Sequence, residues 1–127
     1  MIVIDTHVLL WWANSPRLLS TAADEAVTNA DIVAVSAITA WEVAVLRHRH
    51  HIEMAGDLLS WMHDLEERPN LRVLPLTMPV AIIAAELQEV LRDPMDSLIA
   101  ATALTHGVPL VTKDERIQRS GVVATIW

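Results

Sequence analysis

The stretch Ile2-Val3-Ile4-Asp5-Thr6-His7-Val8-Leu9-Leu10-Trp11-Trp12 decides the fold class. Three apolar β-branched residues read as a buried strand, Asp5 ends it, and an apolar run follows with no Gly or Pro break, as a helix requires. The alternation recurs outward from there. Short β-forming runs at Ile2 to Ile4, Ile32 to Val35, Leu71 to Leu74, Pro109 to Thr112 and Val122 to Ile126 predict strands. The segments between them predict helices: roughly Thr6 to Trp12, Thr21 to Asn29, Ile38 to His48, Ala55 to Glu67, Val80 to Leu91, Pro94 to His106 and Lys113 to Gln118. Strands separated by helices imply right-handed crossovers and a mainly parallel five-stranded sheet covered on both faces, a three-layer α/β sandwich.

With 127 residues, 53% of them hydrophobic, the chain is expected to form one domain over residues 1–127. Apolar runs such as Val8 to Ala13 and Pro79 to Ala85 fall well short of the about 20 residues that span a membrane. No basic residue leads the N-terminus, so no export signal is expected, and the absence of cysteine excludes disulfides and thiolate metal sites. Both features suit a cytoplasmic protein. The five tryptophans, Trp11, Trp12, Trp41, Trp61 and Trp127, stand in a chain without Phe or Tyr, and are expected in the core or at interfaces rather than on a ligand. A net charge of -7 argues against a broad basic surface for nucleic acid. Carboxylates gathered to hold cations also lower net charge, so their placement matters more than their sum.

In parallel sheets, ligands bind beyond the carboxyl ends of the strands. Asp5 ends the first strand, Glu42 lies just inside the helix after the second, and Asp114 follows the fourth. Asp96 sits in the first turn of a helix opened by Asp93-Pro94 and continued by the apolar Leu98-Ile99-Ala100-Ala101, which predicts a buried helix. Each acid also has an ordinary explanation. Asp5 and Asp93 suit helix caps. Thr39-Ala40-Trp41-Glu42 matches a capping box, although Ser36 is an equally good cap and would leave Glu42 in the second turn, among apolar neighbours and in need of a partner. Thr112-Lys113-Asp114-Glu115 matches another, which accounts for Glu115 and leaves Asp114 free.

The joint occurrence of Asp5, Glu42, Asp96 and Asp114 on one sheet edge favours a shared role. Two carboxylates about 4 Å apart repel by roughly 4 kcal/mol at an effective dielectric of 20, so convergence calls for a cation. All-oxygen donors suit Mg²⁺ or Mn²⁺, and such ions serve phosphodiester hydrolysis. The run Arg47-His48-Arg49-His50-His51 offers no evident third zinc ligand and reads as a solvated basic helix end able to meet a phosphate backbone. Arg92, Lys113, Arg116 and Arg119 are further candidates for that contact.

Four fragments in this order resemble the PIN-domain family, and within it the VapC-type toxins of bacterial toxin-antitoxin pairs. They are Ile4-Asp5-Thr6-His7 with Leu10-Trp11-Trp12; Ser36-Ala37-Ile38-Thr39-Ala40-Trp41-Glu42; Arg92-Asp93-Pro94-Met95-Asp96 running into Leu98-Ile99-Ala100-Ala101; and Leu110-Val111-Thr112-Lys113-Asp114 with the terminal Ile126-Trp127. The resemblance spans essentially the whole chain. It implies an endoribonuclease in which Asp5, Glu42, Asp96 and Asp114 bind Mg²⁺ or Mn²⁺, with Thr6, Ser36 and Thr112 supporting them by hydrogen bonds; Asp93, read mainly as the cap of its helix, is a further supporting candidate. It also implies a VapB-type antitoxin and a homodimer; because an acidic cleft is an electrostatic target, the antitoxin's tail is expected to present an Arg or Lys to the acids. Met95, Ser97 and Leu46 depart from the family pattern, where Phe, Arg and Lys are frequent, and these changes bear on substrate or partner contacts; Arg47 stands beside the place of the lost Lys. Two other readings are a catalytically silent PIN module and a two-component receiver domain. The second is disfavoured because Leu71 to Met78 carries no carboxylate to accept a phosphoryl group.

Overall fold

The computed structural model describes residues 1–127. Its sheet has five strands, all parallel, in the order β3-β2-β1-β4-β5: β1 Ile2–Ile4, β2 Val33–Ser36, β3 Leu71–Leu74, β4 Leu110–Val111 and β5 Thr125–Ile126. The helices are α1 Thr6–Asn14, α2 Thr21–Asn29, α3 Ile38–His48, α4 Leu58–Glu66, α5 Met78–Leu91, α6 Pro94–Thr105 and α7 Glu115–Ser120, with one 3₁₀ turn at Pro16–Leu18. The α/β sandwich read from the sequence is therefore the fold.

Strand β1 shows how three layers arise from one alternation. Ile2 and Ile4 face one way and pack with Val33, Val35 and Leu71 of the neighbouring strands against Val8 and Leu9 of α1, Val27 of α2 and Leu65 of α4. Val3 faces the other way, joining Ala34 and Leu110 against Ile99, Ala100 and Ala103 of α6 and Ile117 of α7. Both faces of the sheet are thus dry at its centre, in β1, β2 and β4, as a parallel sheet requires. Helix α5 docks on α6 rather than on the sheet, through Val80 and Ala84 against Ala101.

Helix starts hold most of the differences from the sequence reading. Helix α4 begins at Leu58 rather than near Ala55, because Asp57 accepts a hydrogen bond from the Ser60 amide at 2.9 Å. Neither capping option for α3 is realised: the helix opens after Ala37 with no side-chain cap. For α7 the cap is Asp114 itself, which accepts from the Arg116 amide at 2.7 Å and the Ile117 amide at 3.3 Å, while Glu115 pairs outward with Arg119. The box predicted at Thr112 is thereby corrected: Asp114 is not left free by it. Caps at Asp5 and Asp93 form as expected, on Val8 N for the first and on Met95 N and Asp96 N for the second. No helix is long and apolar enough to cross a membrane.

Candidate active site

Register brings the first acid to its partner. Ile4 lies opposite Val111, so the next residues, Asp5 and Thr112, emerge side by side from adjacent strand ends. The buried Thr112 hydroxyl donates to Asp5 Oδ2, and the Val8 amide donates to Asp5 Oδ1 at 3.0 Å. Asp5 is therefore both cap and site residue. Burial pushes its carboxyl above the ordinary range, against the lowering pull of those two donors.

The second acid is held from α1. Thr6 Oγ1, almost wholly buried, donates to Glu42 Oε2 at 2.5 Å. Glu42 thus has the partner its second-turn position demands, 36 residues away in sequence. The third and fourth acids are joined by one cation: Arg116 Nη2 lies 2.8 Å from Asp96 Oδ2 and 2.8 Å from Asp114 Oδ2. The guanidinium holds the Asp114 carboxyl below its usual range. For Asp96 the balance is reversed despite its ion pair. Burial and the neighbouring charges of Asp93, Asp114 and Glu42 outweigh a guanidinium that is exposed and shared, and push Asp96 up to about 7.

Asp5, Glu42, Asp96 and Asp114 line one cavity of about 460 Å³, together with Thr6, His7, Trp11, Asp93, Met95, Lys113 and Arg116. The remaining predicted residues lie elsewhere. Thr112 sits behind Asp5 as its buried donor. Ser36 is buried in the sheet edge, where its hydroxyl pairs with the Thr102 hydroxyl at 3.0 Å and touches no carboxylate. Arg47 donates to the Gly56 carbonyl at 2.6 Å and Arg92 closes α5 in a left-handed conformation; neither lines the cavity. Ser97 is buried and donates to the Asp93 carbonyl at 2.7 Å, so this departure from the family pattern acts on the first turn of α6.

Hard oxygen donors and an excess of negative charge, most evident in the raised Asp96, make this donor set suited to a divalent ion. With Arg116 across Asp96 and Asp114, no three of the acidic or histidine side chains converge tightly enough to hold an ion between them. The histidine run likewise forms no metal cluster.

Residues 2–122 match the PIN domain. The chain belongs to the PIN-domain family. It is 40% identical to Ribonuclease VapC22 of Mycobacterium tuberculosis, over 99% of this chain and 98% of that protein. It is also similar to the crystal structure of FitAcB from Neisseria gonorrhoeae, at 27% identity and a TM-score of 0.67, over 98% of this chain and 96% of that one. VapBC-1 from nontypeable Haemophilus influenzae shares the fold at 20% identity and a TM-score of 0.70, over 98% of this chain and 96% of its own. The receiver reading ends here, since the chain belongs to the PIN-domain family and β3 carries no carboxylate. His7 and Trp11 also line this cavity, although the average burial of tryptophan points Trp11 to the core or an interface.

Proposed function

We propose that this PIN domain is a divalent-metal-dependent endoribonuclease that acts as the toxin of a toxin-antitoxin pair, with Asp5, Glu42, Asp96 and Asp114 as its metal-holding residues. The observation that carries the reading is the gathering of these four acids in one cavity at the carboxyl edge of the sheet, in a chain 40% identical to a protein named as a ribonuclease. Asp5 and Glu42 are fixed by Thr112 and Thr6, so their oxygens are presented without a further loss of side-chain freedom. Asp96 and Asp114 face them from the starts of α6 and α7. A bound Mg²⁺ or Mn²⁺ supplies activation of a water nucleophile and neutralisation of the charge that develops on the phosphate. Arg116, already between Asp96 and Asp114, is positioned to turn outward to a phosphate oxygen once those carboxylates are otherwise neutralised.

The likeness to VapC proteins supports a VapB-type antitoxin as partner, and the acidic cavity suits a basic side chain of that partner as plug. The test is cleavage of RNA in Mn²⁺ by wild type, Asp5→Asn and Asp96→Asn, each with and without the product of the neighbouring small gene. Expected are cleavage by wild type only, its loss in EDTA, and inhibition by the partner. A wild-type chain that binds RNA and Mn²⁺ without cutting would leave the silent PIN module as the answer.

A further inference from the structure

The cavity has a second wall that the acids do not use. His7 and Trp11 stand one turn apart on α1, with ring centroids 5.9 Å apart and planes inclined by 49°. Lys113, two residues after β4, brings its ammonium 5.4 Å from the Trp11 ring centroid. Trp127 backs the same indole, centroid to centroid at 5.7 Å. His7, Trp11 and Lys113 all line the cavity that holds Asp5, Asp96 and Asp114. Lys113 is exposed and forms no ion pair in spite of these acidic neighbours; its cationic head rests on an aromatic face instead.

This arrangement combines what a polyanionic substrate needs near a carboxylate floor. Four acids repel RNA phosphates, so a cation beside them has to offset that repulsion. An indole face stacks any base and is blind to its hydrogen-bonding edge, whereas a base inside a duplex has no free face to offer. Lysine suits the exchange this requires, because its flexible stem lets the ammonium leave the ring for a phosphate as a base takes the ring. We propose that His7, Trp11 and Lys113 form a nucleotide subsite beside the carboxylates, in which one unpaired base of single-stranded RNA lies on Trp11 and the adjoining phosphate meets Lys113, with His7 as a second donor. The inference rests on the ribonuclease reading, and it deepens that reading by assigning one base and its phosphate to named residues beside the carboxylates.

The experiment measures binding of a fluorescently labelled single-stranded RNA octamer by anisotropy, in EDTA and again in Ca²⁺, and Mn²⁺ binding separately by calorimetry. Trp11→Leu should weaken octamer binding about tenfold while Trp11→Phe keeps most of it. Lys113→Gln should weaken it a few-fold and reduce the salt dependence by about the share of one phosphate contact. Mn²⁺ affinity should stay within about twofold of wild type in all three. An octamer with one abasic position should lose affinity for wild type but lose nothing more in Trp11→Leu. Lys113 is on the surface, so its result stands even if Trp11→Leu fails to fold. Unchanged octamer binding in Lys113→Gln and Trp11→Leu, equal binding of duplex RNA, or no octamer binding by wild type under either condition would overturn the subsite. Trp11-dependent octamer binding without Mn²⁺-dependent cleavage would instead overturn the nuclease reading and leave the subsite standing.

Discussion

Arg116 donates from Nη2 to Asp96 Oδ2 over 2.8 Å, and the same nitrogen reaches Asp114 Oδ2. One guanidinium thus neutralises two of the carboxylates that would hold a metal ion, and the two cations would compete for the same charge. Its side chain is 65% exposed, which limits the strength of the pairing, since such pairs are worth at most about 1 kcal/mol. Arg116→Ala is therefore expected to bind Mn²⁺ about three- to fivefold more tightly than wild type in calorimetry at low salt, with the difference shrinking as salt screens the pair. Weaker binding in the variant would mean that Arg116 holds the acids in place for the ion rather than opposing it.

Asp96 ties stability to pH. Its folded carboxyl is raised to about 7 from an ordinary value of 3.8. Between those values the folded chain keeps a proton that the unfolded chain has released. Without divalent ions, stability from this group is full below about pH 4 and is lost as pH rises toward 7. Asp96→Asn cannot ionise, so its urea midpoint should gain on that of wild type across this interval, and saturating Mg²⁺ should shrink the gain by favouring the ionised Asp96. A wild-type-to-variant difference that stays constant from pH 4 to 8 would contradict the assignment.

The two threonines that hold carboxylates differ in what their loss exposes. Thr112→Val keeps the shape but removes a donor from the buried Asp5, a loss of about 1.5–3 kcal/mol in chemical denaturation. Because that hydroxyl also lowers the Asp5 pKa, the pH at which Mn²⁺ half-binds should move upward. Thr6→Val acts on the half-buried Glu42 and should cost less stability while still loosening the metal. Thr112→Ser, with its hydroxyl retained, should stay close to wild type in both measurements.

Much of this was legible because it is local. The bounds of α2, α3 and β3 follow from periodicity, and the placing of Asp5, Glu42, Asp96 and Asp114 on one edge follows from strands alternating with helices. The misreadings share one cause. A capping box is a four-residue pattern, and Thr39-to-Glu42 satisfies it on paper, but Glu42 is claimed by Thr6 from another helix and Thr39 is buried. Ser36 fails in the same way, drawn to Thr102, 66 positions on. Trp11 is expected in packing because tryptophan is highly buried on average; only the tertiary position of Lys113 and Trp127 shows that one side of its ring belongs to the cavity.

The outer face of α5 calls for a partner that the acids do not. Met78, Ala81, Ile82 and Ala85 recur at the spacing of one helical stripe, and all are exposed, Met78 by 82% and Ile82 by 62%. The inner face is already used by Val80 and Ala84 against α6. An apolar stripe at i, i+3, i+4 and i+7 left in water is the mark of helix-to-helix association, and a two-fold axis across α5 would pair the stripe with its own copy. A homodimer through α5 is the expected outcome, which leaves the carboxylate cavity at the sheet edge open to RNA or antitoxin. Ile82→Glu places like charges across that axis and should convert the dimer to a monomer in light scattering at tens of micromolar. Asp5-dependent Mn²⁺ binding should survive, since the substituted side chain is outside the cavity lining. A wild-type chain that is already monomeric at that concentration would remove α5 as a self-association surface.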